Sequence, residues 1–185
     1  PNGEPLQLPE RFMRGTGLPQ RHARRQWHIV HESATAIVPR QRLAIEALSG
    51  LETELARSEI DLSNRESYDL TLQLTRFHRA ADAGWRNGNT HVHLRTLTRE
   101  RAEEYLPSVS RADEVEMVFV SYLTRTNADR TYISKTYTEQ DLERLSGHGV
   151  TFDWAVEHRH NFGPGGDGFG HVMFLNTKKL IEPVS

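Results

Sequence analysis

The chain has 185 residues, with 23 Lys+Arg against 25 Asp+Glu for a formal net charge of −2, 10 His and no Cys. Without Cys there is no disulfide framework, thiolate nucleophile or thiolate metal site, so any metal must be held by His, Asp or Glu. The balanced charge, with no long block of one sign, sets nucleic acid aside as a partner, and no apolar run approaches the roughly 20 residues of a membrane span.

At 36% hydrophobic the chain has enough apolar residues for a modest core. It begins at Pro1 without a signal-peptide pattern, so the natural N-terminus is expected to be missing and the chain to be a fragment. Residues 1–25, which include the basic cluster Arg21-His22-Ala23-Arg24-Arg25, read as extended loop, and the cluster as a solvated turn.

From Trp27 onward short extended stretches are expected at Trp27–Val30, Ala36–Val38 and Leu43–Ile45. Residues 42–60 are rich in helix formers, yet their spacing also fits two strands meeting at Ser49-Gly50, and the flanking strand signals favour the strands. The alternation Tyr68, Leu70, Leu72, Leu74 predicts the best strand of the chain. Residues 1–79 therefore read as a small β-rich, sandwich-like domain, and the change in composition over 80–89 as a connector ending in a turn.

Downstream, strands alternate with helices, which argues α/β with a largely parallel sheet. Thr90–Leu94 is expected to be extended, and a helix from Arg99 to Tyr105, capped by Thr98, to end before Pro107. A buried strand follows at Met117–Leu123, then a helix opened by the capping-box-like Thr138–Asp141 with Gly147 beyond its end. Extended segments Val150–His158 and His171–Leu175 close the chain around a Gly-rich loop. That loop lacks the Gly-Lys-Ser/Thr ending of a phosphate-binding loop and reads as a lid or connector.

His91-Val92-His93 carries the chemistry. On a strand, residues two apart share a face, so both imidazoles can converge on one ion while Val92 turns away. Further His stand near a carboxylate in Glu157-His158-Arg159-His160 and at His171. Two His and a carboxylate with an open position suit a divalent ion such as Zn, Mn or Fe and support hydrolysis of a small-molecule substrate. His158 and His160 oppose Glu157 on a regular strand, so all three cannot face an ion without a bulge. With Glu157 as the ligand, His158 or His160 is left to support the ligands, to touch substrate, or to lie on the surface. His148 reads as a turn residue and Arg159 as solvated; Asp153 and Tyr122 are acid/base groups only if they reach the site.

Gly88-Asn89-Thr90-His91-Val92-His93 resembles the first metal motif of the PHP superfamily, the polymerase-and-histidinol-phosphatase metallohydrolases. Gly84-Trp85, Glu157 and Gly170-His171-Val172 resemble its carbaryl-hydrolase-like branch, in which a β domain precedes the catalytic barrel. The resemblance implies that residues 90–185 form the first part of a distorted β/α barrel. It implies that His91 and His93 bind the first metal, that Glu157 is a carboxylate ligand bridging two metals, and that His171 is a further ligand. Glu157 and His160 are then the candidate catalytic residues, the substrate a phosphoester or an amide or carbamate, and the location extracellular or periplasmic. Where the family carries an Asp-His pair on its second strand, this chain offers Ser121 and Tyr122. The alternative is therefore a degenerate metal-binding or interaction module without turnover.

Overall fold

The computed structural model describes residues 6, 8, 13–14, 27–123, 131–159, 171–177 and 179, with the backbone alone at 159 and 171. It is mixed α/β, with one two-stranded and one four-stranded sheet among the described residues. The chain forms two compact units: Pro1–Trp85 with Ala112–Glu114, and Arg86–Arg111 with Val115–Ser185. No helix among the described residues is long and apolar enough to cross a membrane.

In the first unit, β1 (Arg42–Ala47) and β2 (Ala56–Asp61) pair antiparallel, from Arg42 opposite Asp61 to Ala47 opposite Ala56. Helix formers thus lie in strands here, because the alternation gives the ribbon two distinct faces. Leu43 and Ile60 face each other on the more buried side, while Arg42–Glu59 and Arg57–Glu46 ion pairs lace the other. The connection is tied by Thr53, whose hydroxyl donates to the Ser49 carbonyl at 2.6 Å and accepts from the Ser49 N–H at 2.8 Å. Gly50 stands at φ +61°, and a Cβ there would lie 3.0 Å from the Asp113 carbonyl oxygen. Glu114 accepts from Ser49 Oγ at 3.0 Å and from Arg76 at 2.5 Å, and Arg76 also reaches Glu52 at 3.2 Å.

Three sequence expectations fail in this unit. Residues 36–38 form no strand, and Ile37 is 99% exposed. Trp27–Val30 holds only an isolated bridge between Met13 and His28. Tyr68–Leu74 keeps the alternation of burial from Leu70 onward but belongs to no ladder among the described residues. Its pairing starts just beyond, where Arg76 bridges Thr53 and the Glu54 N–H donates to the Thr75 carbonyl at 2.8 Å. Period-two hydrophobicity reports which side of an extended chain is covered, not whether a neighbour strand lies beside it. A sandwich is not seen among the described residues.

The second unit is built on a sheet in the order β3 (Gly88–Val92), β4 (Met117–Tyr122), β5 (Thr151–Arg159), β6 (His171–Leu175). The first two pairings are parallel and the last antiparallel. Helices α1 (Arg99–Ala112) and α2 (Glu139–Leu145) connect the parallel strands. Ala102 and Leu106 of α1 and Leu142 of α2 pack with Val118 and Val120 of β4 and Phe152 of β5 into one core. Both helices therefore cover the same face of the sheet.

Thr98 caps α1 as expected, its hydroxyl accepting from the Arg101 N–H at 3.3 Å. The helix nevertheless runs through Pro107 to Ala112, where an end before the proline was expected. An interior proline forfeits one backbone hydrogen bond, a cost of about 3 kcal/mol. Burial of Leu106 and Ser110 on either side of it holds the helix together. The capping box of α2 is complete, with Thr138 and Asp141 exchanging side-chain and backbone bonds. Arg99 joins the helices, reaching Glu103 at 2.8 Å and Asp141 at 2.7 Å with its guanidinium over the Tyr137 ring. That arginine is the main reason the Asp141 carboxyl is held far below the usual carboxylate range. Burial pushes the Tyr137 phenol up to about 12.

Candidate metal centre

The site lies on the face of the four-stranded sheet opposite the helices. On β3, Asn89 is level with Val118 but Val92 with Val120, so β3 carries one extra residue in a bulge. Beyond it Val92 packs against the core, and its neighbours His91 and His93 point to the other face. On β5, Phe152 belongs to the core and Trp154 packs against it, which turns Ala155 and Glu157 to that same other face. β4 runs between them, and there the fully buried Ser121 follows directly on Val120, level with His93. Strands two apart in a sheet are roughly 10 Å from one another, and His93 and Glu157 meet across β4 beside the small side chain of Ser121.

His91 Nε2 lies 2.9 Å from His93 Nε2 and 3.1 Å from Glu157 Oε2, and His93 Nε2 lies 2.5 Å from that same oxygen. The Glu157 side chain is fully buried, while those of His93 and His91 are 13% and 39% exposed, so the cluster opens toward solvent on the His91 side. The two rings meet edge to face, 4.8 Å apart. The Asn89 side chain accepts from the His91 N–H at 3.1 Å and steadies the start of the motif.

These three residues can hold a metal ion. Two ligand atoms each about 2.1 Å from one ion and at right angles to each other stand about 3.0 Å apart. The observed edges of 2.9 and 3.1 Å are of that size, and the third, between His93 and Glu157, is shorter at 2.5 Å. A closed triangle is, by contrast, a poor hydrogen-bond arrangement, because an N–H directed at one corner points well away from the other. Neutral imidazole and carboxylate together suit Zn, Mn or Fe.

His158 is buried on the opposite face, its ring edge-on to Phe174 at 5.0 Å, so it does not stand beside Glu157. His160 lies outside the described residues, as does the Gly-rich loop. His171 opens β6 opposite Arg159, two positions before the Met173 that pairs with Glu157; the side chains of His171 and Arg159 are outside the description. Tyr122 packs on Trp154 on the helix side, Asp153 accepts from the Trp154 N–H at 2.6 Å, and His148 sits in an exposed turn at φ +50°. None of the three reaches the cluster. Tyr132 does: its ring centroid is 5.1 Å from that of His93. Nothing in the sequence near Tyr132 marks it, since it arrives through an isolated bridge to Arg95 rather than a regular strand.

No family model, curated protein or solved structure matches the chain.

Proposed function

We propose that the second unit is the metal-binding part of a metal-dependent hydrolase of the PHP type, acting on a phosphoester or an amide or carbamate. The observation that carries the reading is the convergence of His91, His93 and Glu157 Oε2 on one point, at ligand-to-ligand spacing, on the face of a largely parallel sheet opposite its helices. A divalent cation supplies Lewis acidity and lowers the pKa of water toward neutrality. His91 and His93 each offer an Nε2 lone pair, and Glu157 offers a carboxylate oxygen. The partly exposed His91 edge is the side from which a substrate enters. His171 is the further ligand in this reading and His160 the residue that moves a proton with Glu157. The four strands then form the first part of a distorted β/α barrel.

The test is elemental analysis of the purified chain beside a His91→Ala/His93→Ala double variant, followed by hydrolysis assays with p-nitrophenyl phosphate esters and carbamates. Stoichiometric Zn, Mn or Fe, lost in the double variant together with hydrolysis, is the expected result. No metal after reconstitution overturns the reading. Metal binding without turnover by the full-length protein favours a second reading, a degenerate metal-binding module. The observation behind that alternative is that Ser121 and Tyr122, where the family carries Asp-His, contribute no ligand to the cluster.

A further inference from the structure

The extended segment that carries the two histidines continues past them. Val92 and Leu94 turn into the core, which leaves His91, His93 and Arg95 on the other side. Tyr132 pairs with Arg95 through an isolated antiparallel bridge, fixed by the Ile133 N–H donating to the Leu94 carbonyl at 2.9 Å. Its ring fills the space between the last histidine and the arginine, with the Arg95 guanidinium 6.0 Å from the ring centroid. The result is a continuous row: His91, His93, Tyr132, Arg95.

Arg95 is exposed, and among the described residues no carboxylate forms an ion pair with it. Arg99 and Arg144, by contrast, are each spent on two carboxylates. The chain then leaves the row abruptly, because Thr96 takes φ +60°. A β-branched residue in the left-handed region is strained, and such strain persists only where the surroundings impose it. Here it ends the extended segment immediately after Arg95 and holds that residue at the rim of the cluster.

We propose that Arg95, beside the Tyr132 ring, is the anion-binding residue of this site, and that the substrate carries an oxyanion, phosphate or carboxylate, on the far side of that ring from the position held by His91, His93 and Glu157. The guanidinium presents a planar fork of donors matched to either oxyanion. The aromatic ring beside it restricts the directions it can take, so less entropy is lost when the anion docks. The proposal deepens the hydrolase reading by naming the substrate class and rests on that reading for the meaning of the site, but its test does not depend on metal or turnover.

Inorganic phosphate and, separately, acetate are titrated into the metal-free protein by calorimetry, using wild type, Arg95→Ala, Arg95→Lys and the His91→Ala/His93→Ala double variant. Saturable binding of at least one anion is expected in wild type and in the double variant alike. Arg95→Ala should weaken it about tenfold, with Arg95→Lys in between because it keeps the charge without the fork. Dependence for phosphate alone assigns phosphoesters, and dependence for acetate assigns carboxylate-bearing substrates. Equal affinity in Arg95→Ala, loss in the double variant alone, or no saturable binding in wild type overturns the proposal. Arg95→Lys keeps the test valid if the alanine variant is misfolded. Failure of metal loading or hydrolysis leaves this readout intact, so the two readings fail separately.

Discussion

His93 Nε2 and Glu157 Oε2 lie 2.5 Å apart across 64 positions of sequence and the width of β4. This pairing brings a carboxylate with no solvent exposure of its side chain against the tip of an imidazole. A carboxylate buried in this way is costly unless something positive shares its oxygen. Glu157 thus depends on the groups that share that oxygen, His91 and His93 among them.

Glu157→Gln keeps the shape and removes the charge. Its affinity for Zn is expected to fall by at least about a hundredfold, the upper range for groups that support a metal site. A zinc titration of the variant beside wild type checks it, and unchanged affinity would remove Glu157 from the ligand set.

Ser121→Leu places a branched side chain under the meeting point of His93 and Glu157. It should abolish stoichiometric metal binding and cost about 1–3 kcal/mol from overpacking. Ser121→Ala should leave the metal content unchanged. Elemental analysis and urea unfolding of the two variants decide it.

The Arg99–Asp141 pair predicts acid sensitivity. The folded-state pKa of Asp141 is depressed, chiefly by Arg99, so its contribution is fully present above the unfolded value of about 3.9 and is lost as pH falls toward the folded value. The urea midpoint of wild type should therefore drop between pH 5 and pH 2. Asp141→Asn should start lower at pH 7 and lose less over that interval. Parallel curves for the two proteins would contradict the assignment.

Pro107→Ala should stabilise the second unit by about 1–3 kcal/mol, because it restores an N–H in mid-helix and removes a clash with the preceding turn. Leu106→Ala, one position away and facing the core, should instead cost about 2–5 kcal/mol. Opposite shifts of the urea midpoint at adjacent residues are the signature to look for.

In the first unit Gly50 meets both a left-handed backbone and a close carbonyl. Gly50→Ala is expected to destabilise by about 1–3 kcal/mol, whereas Gly84→Ala, which meets no neighbour but has φ +78°, should cost less. Chemical unfolding of each variant measures the difference.

Much of the second unit was legible from residues that act locally. The capping box at Thr138, the apolar run of β4 and the apolar run up to Leu175 each commit a short segment by its own chemistry. Pro107 misleads because its penalty is local while the burial that outweighs it comes from the sheet. Tyr68–Leu74 misleads the other way: its alternation is real, but pairing depends on what lies alongside. At the site, His91 and His93 declare themselves by spacing, and Glu157 by the His-rich stretch around it. Tyr132 and Arg95 do not, since one is brought in through an isolated bridge and the other reads as an ordinary surface cation.

The bulge in β3 gives the site an unusual dependence. With Asn89 level with Val118, a regular strand would set His91 level with Val120 and turn it into the core, with Val92 facing Glu157 instead. The two histidines are thus addressed by a count of residues as much as by their identity. A single deletion between Gly88 and His91 would erase the metal centre while leaving every ligand in the chain, and a compensating insertion nearby would bring it back. Variation in length within those few residues is thus as damaging to this site as substitution of the ligands themselves.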